Sequence, residues 1–151
     1  MRPIVKLAVL PVALAVAALV GSLAPRAGAA APADVTGDYG GKMAFKFYPL
    51  TEGESPSRGS LPATASVTFN PPMLSVVVTV ETPEGPENYN LQGRYGLGRF
   101  WAAGGGPGGQ MSINGTAKGA AGKLVLAGAG SLVGSDALNT IKLNLKQILV
   151  Q

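Results

Sequence analysis

The chain has 151 residues, with 22 glycines, 12 prolines, no cysteine and no histidine, and only 13% of its residues are charged, about half the share usual in soluble domains. That length allows one small domain. The missing cysteine and histidine exclude disulfide staples, thiolate zinc sites, imidazole metal ligands and the usual nucleophilic triads. The formal charge of +4 points toward nucleic acid only until its distribution is read.

Arg2 and Lys6 precede an uncharged, mostly apolar run from Leu7 to Ala24, and small residues follow at Ala27-Gly28-Ala29. A cationic start, an apolar stretch and an A-x-A exit are the three parts of a secretion signal. Residues 1–29 are therefore expected to be a cleaved signal peptide and residues 30–151 a single exported domain, secreted or periplasmic. Pro11 and the small-residue exit argue against an uncleaved anchor, and the mature chain has no cysteine for lipid attachment. Cleavage removes Arg2, Lys6 and Arg26 and leaves nine basic residues against eight acidic ones. The nine are spread singly along the chain, so no nucleic-acid partner is expected.

After Ala29 apolar residues recur at every second position, the period of strands. Met43, Phe45 and Phe47 mark the first strand, and a polar loop follows from Pro49 to Gly59. Val67 and Phe69 belong to a second strand that stops at Asn70-Pro71-Pro72, because proline cannot donate to a ladder. Leu74, Val76, Val78 and Val80 form the third, and Thr82 to Asn88 reads as a hairpin loop of more than two residues. A long fourth strand runs from Tyr89 through Leu91, Gly93, Tyr95 and Leu97, with Gly93, Gly96 and Gly98 as bends or bulges. The run Gly104 to Gly109 is expected to be a flexible loop. Met111, Ile113, Gly115 and Ala117 make a fifth strand, and Lys123 to Ala127 a sixth.

Leu138, Ile141, Leu145 and Ile148 also fit a helical stripe, but Ile141, Leu143 and Leu145 alternate with Lys142, Asn144 and Lys146, which favours a seventh strand. Its phase breaks at Gln147, as a bulge at Lys146 or Gln147 would produce. An eighth strand would come from Ser131-Leu132-Val133 or from a split of the fourth. The fold class is all-β: an antiparallel up-and-down barrel or a β-sandwich. The barrel is the architecture that lipocalins and avidins have, an analogy without their diagnostic motifs.

No cofactor, metal or catalytic group is expected. Gly104 to Gly109 lacks the Lys-[Ser/Thr] of a phosphate loop, the carboxylates Glu81, Glu84 and Glu87 read as a solvated turn, and the lysines fall on polar faces. The candidate ligand-binding residues are Tyr89, Tyr95, Arg99, Phe100 and Trp101, beside the glycine run. Arg99 either shares the inner face with Tyr89, Tyr95 and Trp101, or Gly96 or Gly98 reverses the phase and turns Arg99 out and Phe100 in. The cost of an unpaired buried arginine favours the second. The expected function is a non-enzymatic exported barrel or sandwich binding a small apolar ligand or a partner surface. A structural or adhesion module with a filled core is the alternative, and a small outer-membrane barrel a third. An internal cavity of a few hundred cubic ångströms would separate the first two.

Overall fold

The computed structural model describes residues 30–149, and the expected signal peptide lies outside them. Eight strands follow in order: β1 Gly37–Pro49, β2 Ser57–Asn70, β3 Met73–Thr82, β4 Gly85–Gly96, β5 Arg99–Gly106, β6 Gly109–Lys118, β7 Val125–Val133 and β8 Ala137–Ile148. Each pairs antiparallel with its neighbours in sequence, and β1 also pairs with β8, which closes the sheet into a barrel. The up-and-down barrel is thus the form adopted, and closure leaves no strand edge exposed for pairing with another chain.

The period-2 alternation explains the arrangement. Tyr39 and Met43 on β1, Val76, Val78 and Val80 on β3, and Ile141, Leu143 and Leu145 on β8 point inward and are buried, while the residues between them face water. The helical reading of the last segment fails because only a strand puts Leu143 inside and Lys142 outside together.

Four details differ from the sequence reading. The eighth strand comes from splitting the long fourth at Leu97-Gly98, whereas Ser131 to Val133 simply ends β7. The loop after β3 shortens to Pro83-Glu84, since Thr82 already pairs with Gly85 and its hydroxyl donates to the Gly85 carbonyl at 2.6 Å. No bulge interrupts β8: its ladder with β1 runs unbroken from Ala137 to Ile148. Gln147 takes the inward position there, its backbone N–H donating to the Leu124 carbonyl at 2.7 Å and its side-chain oxygen accepting from the Leu124 N–H at 3.3 Å. The polar side chain replaces the apolar one because it completes the backbone bonds just before β7 begins.

The fourth difference is the glycine run, expected as a mobile loop. Gly104, Gly105 and Gly106 are ladder residues, opposite Met111, Gln110 and Gly109 on β6, and only Pro107-Gly108 turns. A Cβ on Gly104 would lie 1.9 Å from the Asn90 carbonyl oxygen, and one on Gly93 1.7 Å from that of Trp101. At these positions the coiled β4 and β5 backbones approach so closely that no side chain fits.

The two poles differ. At the pole where β1 begins and β8 ends, residues 31–36 cross the opening: Val35 is buried, its carbonyl accepts the Tyr39 hydroxyl at 2.7 Å, and the Pro32 carbonyl accepts that of Tyr95. Burial raises the Tyr39 hydroxyl to about 12, with the Asp34 carboxylate adding to the shift. The opposite pole, where β1 turns into β2 and β7 into β8, has no such cover among the described residues.

Candidate functional site

The five candidate residues do not converge. Tyr95 and Phe100 stand opposite each other across β4 and β5 and point inward, next to the covered pole. Phe69 meets Tyr95 edge to face, ring centres 5.2 Å apart. Tyr89 also points inward, but toward the open pole, level with Val78 of β3. The Leu97-Gly98 turn, with positive φ at both residues (52° and 76°), reverses the phase. Arg99 and Trp101 therefore face outward, and Trp101 is 52% exposed opposite Arg94. The second reading of Arg99 is the one the fold adopts, and the inner aromatics and the outer pair belong to different surfaces. Nothing in the structure explains a leucine at the left-handed position 97.

The covered half of the interior is almost filled. Near the covered pole Tyr95, Phe100, Val76, Ile113, Leu126 and Leu143 surround a void of about 20 Å³, room for roughly one water molecule and lined without polar groups. A lipid-sized ligand does not fit there.

Two features were missed in the sequence. The first is on the outside. The lysines and arginine that look scattered in sequence are gathered when β1 closes against β8: Lys42 and Lys46 on β1, Lys142 and Lys146 on β8, and Arg58 on β2 all face outward. Lys146 stands opposite Gly40, Lys142 opposite Ala44, and Lys46 opposite both Thr140 and Arg58. Each successive outward row from Gly40 to Lys46 therefore carries at least one cation, rows being spaced about 6.7 Å apart. Their direct cross-strand partners carry no carboxylate: Lys42 lies between Pro62 and Asn144, and Lys142 between Ala44 and Ala129. Lys46 sits 4.9 Å over the Tyr48 ring. The rows border shallow outer hollows floored by small residues, Ala44, Gly115, Ala127 and Gly128 on one side and Gly59 and Ser60 on the other.

The second is inside the open pole. Met43, Phe45, Leu61, Val80, Leu132 and Ile141 wall a hollow of about 150 Å³ whose polar groups are Thr82, Glu87, Tyr89 and Asn139. Glu87 accepts the Tyr89 hydroxyl at 2.5 Å. Burial, then the Glu87 carboxylate, push that hydroxyl up to about 12. A signal for Glu87 was present, because it lies two residues before Tyr89 and so shares its inward phase. The cationic rows had no such signal, since they require knowing that the first strand pairs with the last. No known protein family matches the chain, and no curated protein is detectably similar to it.

Proposed function

We propose that the chain is an exported, non-enzymatic β-barrel that works through its outer surface, holding an acidic polysaccharide against the face formed by β2, β1 and β8. The observation that carries this reading is the placement of Arg58, Lys46, Lys42, Lys142 and Lys146 on three adjacent strands with no carboxylate directly across. Lys46 opposite Arg58 is a like-charge cross-strand pair, an arrangement that costs stability, and a polyanion removes that cost. A run of cations at about 6.7 Å intervals suits a linear chain bearing carboxylate or sulfate groups. Asn144, Thr140 and Ser60 stand among the cations to meet sugar hydroxyls.

Export is supported by the Arg2/Lys6 start, the apolar run and the Ala27-Gly28-Ala29 exit. The void of about 20 Å³ near the covered pole and the hollow of about 150 Å³ at the open one are both too small for a lipid, which favours a surface role over lipid carriage. An outer-membrane barrel needs an apolar band facing lipid, whereas the outward residues of β8 include Thr140, Lys142, Asn144 and Lys146.

The test is retention of the exported protein on a uronic-acid polysaccharide matrix under a salt gradient. Retention should fall with salt, and Lys46→Glu with Lys142→Glu should elute at much lower salt while circular dichroism stays unchanged. Equal elution of the variant and the parent refutes the reading. Tighter binding to single-stranded nucleic acid or to anionic vesicles refutes the choice of polysaccharide. N-terminal sequencing of the same preparation should begin at Ala30 or within two residues of it.

A further inference from the structure

The open pole combines three properties that plain packing does not require. Among the charged residues of the eight described strands, Glu87 is the one that shares the inward phase; Asp38, Arg58, Glu81, Arg94, Arg99 and the strand lysines all lie on the outward phase. The charge therefore enters the mouth of an apolar barrel with no inward-facing cation among the described strands to neutralise it. An apolar lining strengthens its pull on any cation that arrives.

The carboxylate is also held in place. The Tyr89 hydroxyl donates its one proton to Glu87 Oε2, which leaves the remaining lone pairs of the carboxylate for another donor. The phenol oxygen is seated under the turn: a Cβ on Gly108 would lie 2.3 Å from it, so glycine there is what makes room for the tyrosine. The neighbouring polar groups add acceptors. Thr82 donates its hydroxyl proton to the Gly85 carbonyl at 2.6 Å, which leaves its oxygen as an acceptor, and Asn139, whose amide has one acceptor oxygen, also lines the hollow.

The floor is Phe45, Leu61, Val80 and Ile141, and the hollow measures about 150 Å³, a volume that in a closed apolar cavity admits a benzene-sized group. From this arrangement we infer that the open pole is a binding site for a small organic ammonium ion: a primary amine on a short aryl or alkyl stem. The ammonium sits against the Glu87 carboxylate with Thr82 and Asn139 accepting its other protons, and the stem lies on the apolar floor. The site is separate from the outward cationic rows and does not depend on their partner.

The probe is phenethylamine, titrated into the exported protein by calorimetry and by NMR, beside phenethyl alcohol and phenylacetate as its neutral and anionic counterparts. The amine should bind at least tenfold more tightly than the alcohol, phenylacetate should not bind, and the amine should shift Tyr89 resonances but not those of Trp101. Glu87→Gln should bring amine and alcohol to equal affinity without lowering the melting temperature. Leu61→Trp, which fills the hollow while leaving the carboxylate intact, should abolish binding of both. Equal affinity of amine and alcohol for the parent protein, an amine preference that survives Glu87→Gln, or binding that survives Leu61→Trp would each overturn the assignment.

Discussion

Replacing Gly104 by alanine tests whether the glycine run is a structural ladder or a loose connection. The added Cβ would lie 1.9 Å from the Asn90 carbonyl oxygen, where ordinary contact begins at 3.4 Å, so the two strands must separate by more than 1 Å locally. The neighbouring register pairs, Asn90 with Gly105 and Leu91 with Gly104, cannot keep their hydrogen bonds through such a shift. Two or three lost bonds at about 1 kcal/mol each, less about 0.5–1 kcal/mol regained from the reduced freedom of the unfolded chain, leave a loss of about 2 kcal/mol. For a domain of this size that lowers the melting temperature by roughly 8 °C. Gly96 is the control: nothing lies within 4 Å of its would-be Cβ, and its φ is not positive. Gly96→Ala should be neutral or stabilising by up to about 1 kcal/mol. Urea and thermal unfolding followed by far-ultraviolet circular dichroism measure both. Similar stabilities for the two variants would mean that residues 104–106 do not form the tight ladder described.

The strand assignment of β8 is tested by neighbouring charges. Leu143→Asp places a carboxylate in the core and should cost more than about 4 kcal/mol, or prevent folding, whereas Asn144→Asp should change stability by less than about 1 kcal/mol. Because Asn144 lies opposite Lys42 and between Lys142 and Lys146 on the outer face, its substitution should also weaken polysaccharide retention; equal unfolding free energies for the two variants would refute the one-sided strand. At alkaline pH the raised Tyr39 hydroxyl means that the folded state keeps a proton the unfolded chain releases, so stability present below pH 10 should decline as pH rises from 10 toward about 12. Tyr39→Phe should flatten that decline in part, Tyr89 supplying a second contribution of the same sign; an unchanged slope in urea titrations across that range would count against the buried Tyr39 hydroxyl.

Alternation carried the architecture because burial on one face of a strand is a local matter. Val76, Val78 and Val80 announce their inner face without reference to any other strand. The glycine run misled for the opposite reason: Gly104 is determined by the approach of Asn90 from the neighbouring strand, and taken alone it looks like freedom. The Gln147 break misled likewise, since its polar side chain serves Leu124, 23 positions away. Of the candidate site, the inward placement of Tyr89, Tyr95 and Phe100 was within reach of the pattern, including the phase reversal at Leu97-Gly98. Their separation toward different poles was not, because strand alternation tells inside from outside but says nothing about how far along the barrel axis a residue lies.

The pairing of Asp38 with Ile148 puts the start of the first strand and the end of the last side by side, at the pole covered by Val35. The described barrel thus begins and ends at one pole, and the Glu87 pole is at the far end. A barrel tethered at the lead-in to β1 or at the end of β8, to a bead, a sensor chip or a larger protein, holds that mouth out toward the medium. The cationic rows then run up its flank, away from the support. Steric shadow from the attachment falls on the Tyr95 pole, where the chain has already closed itself off.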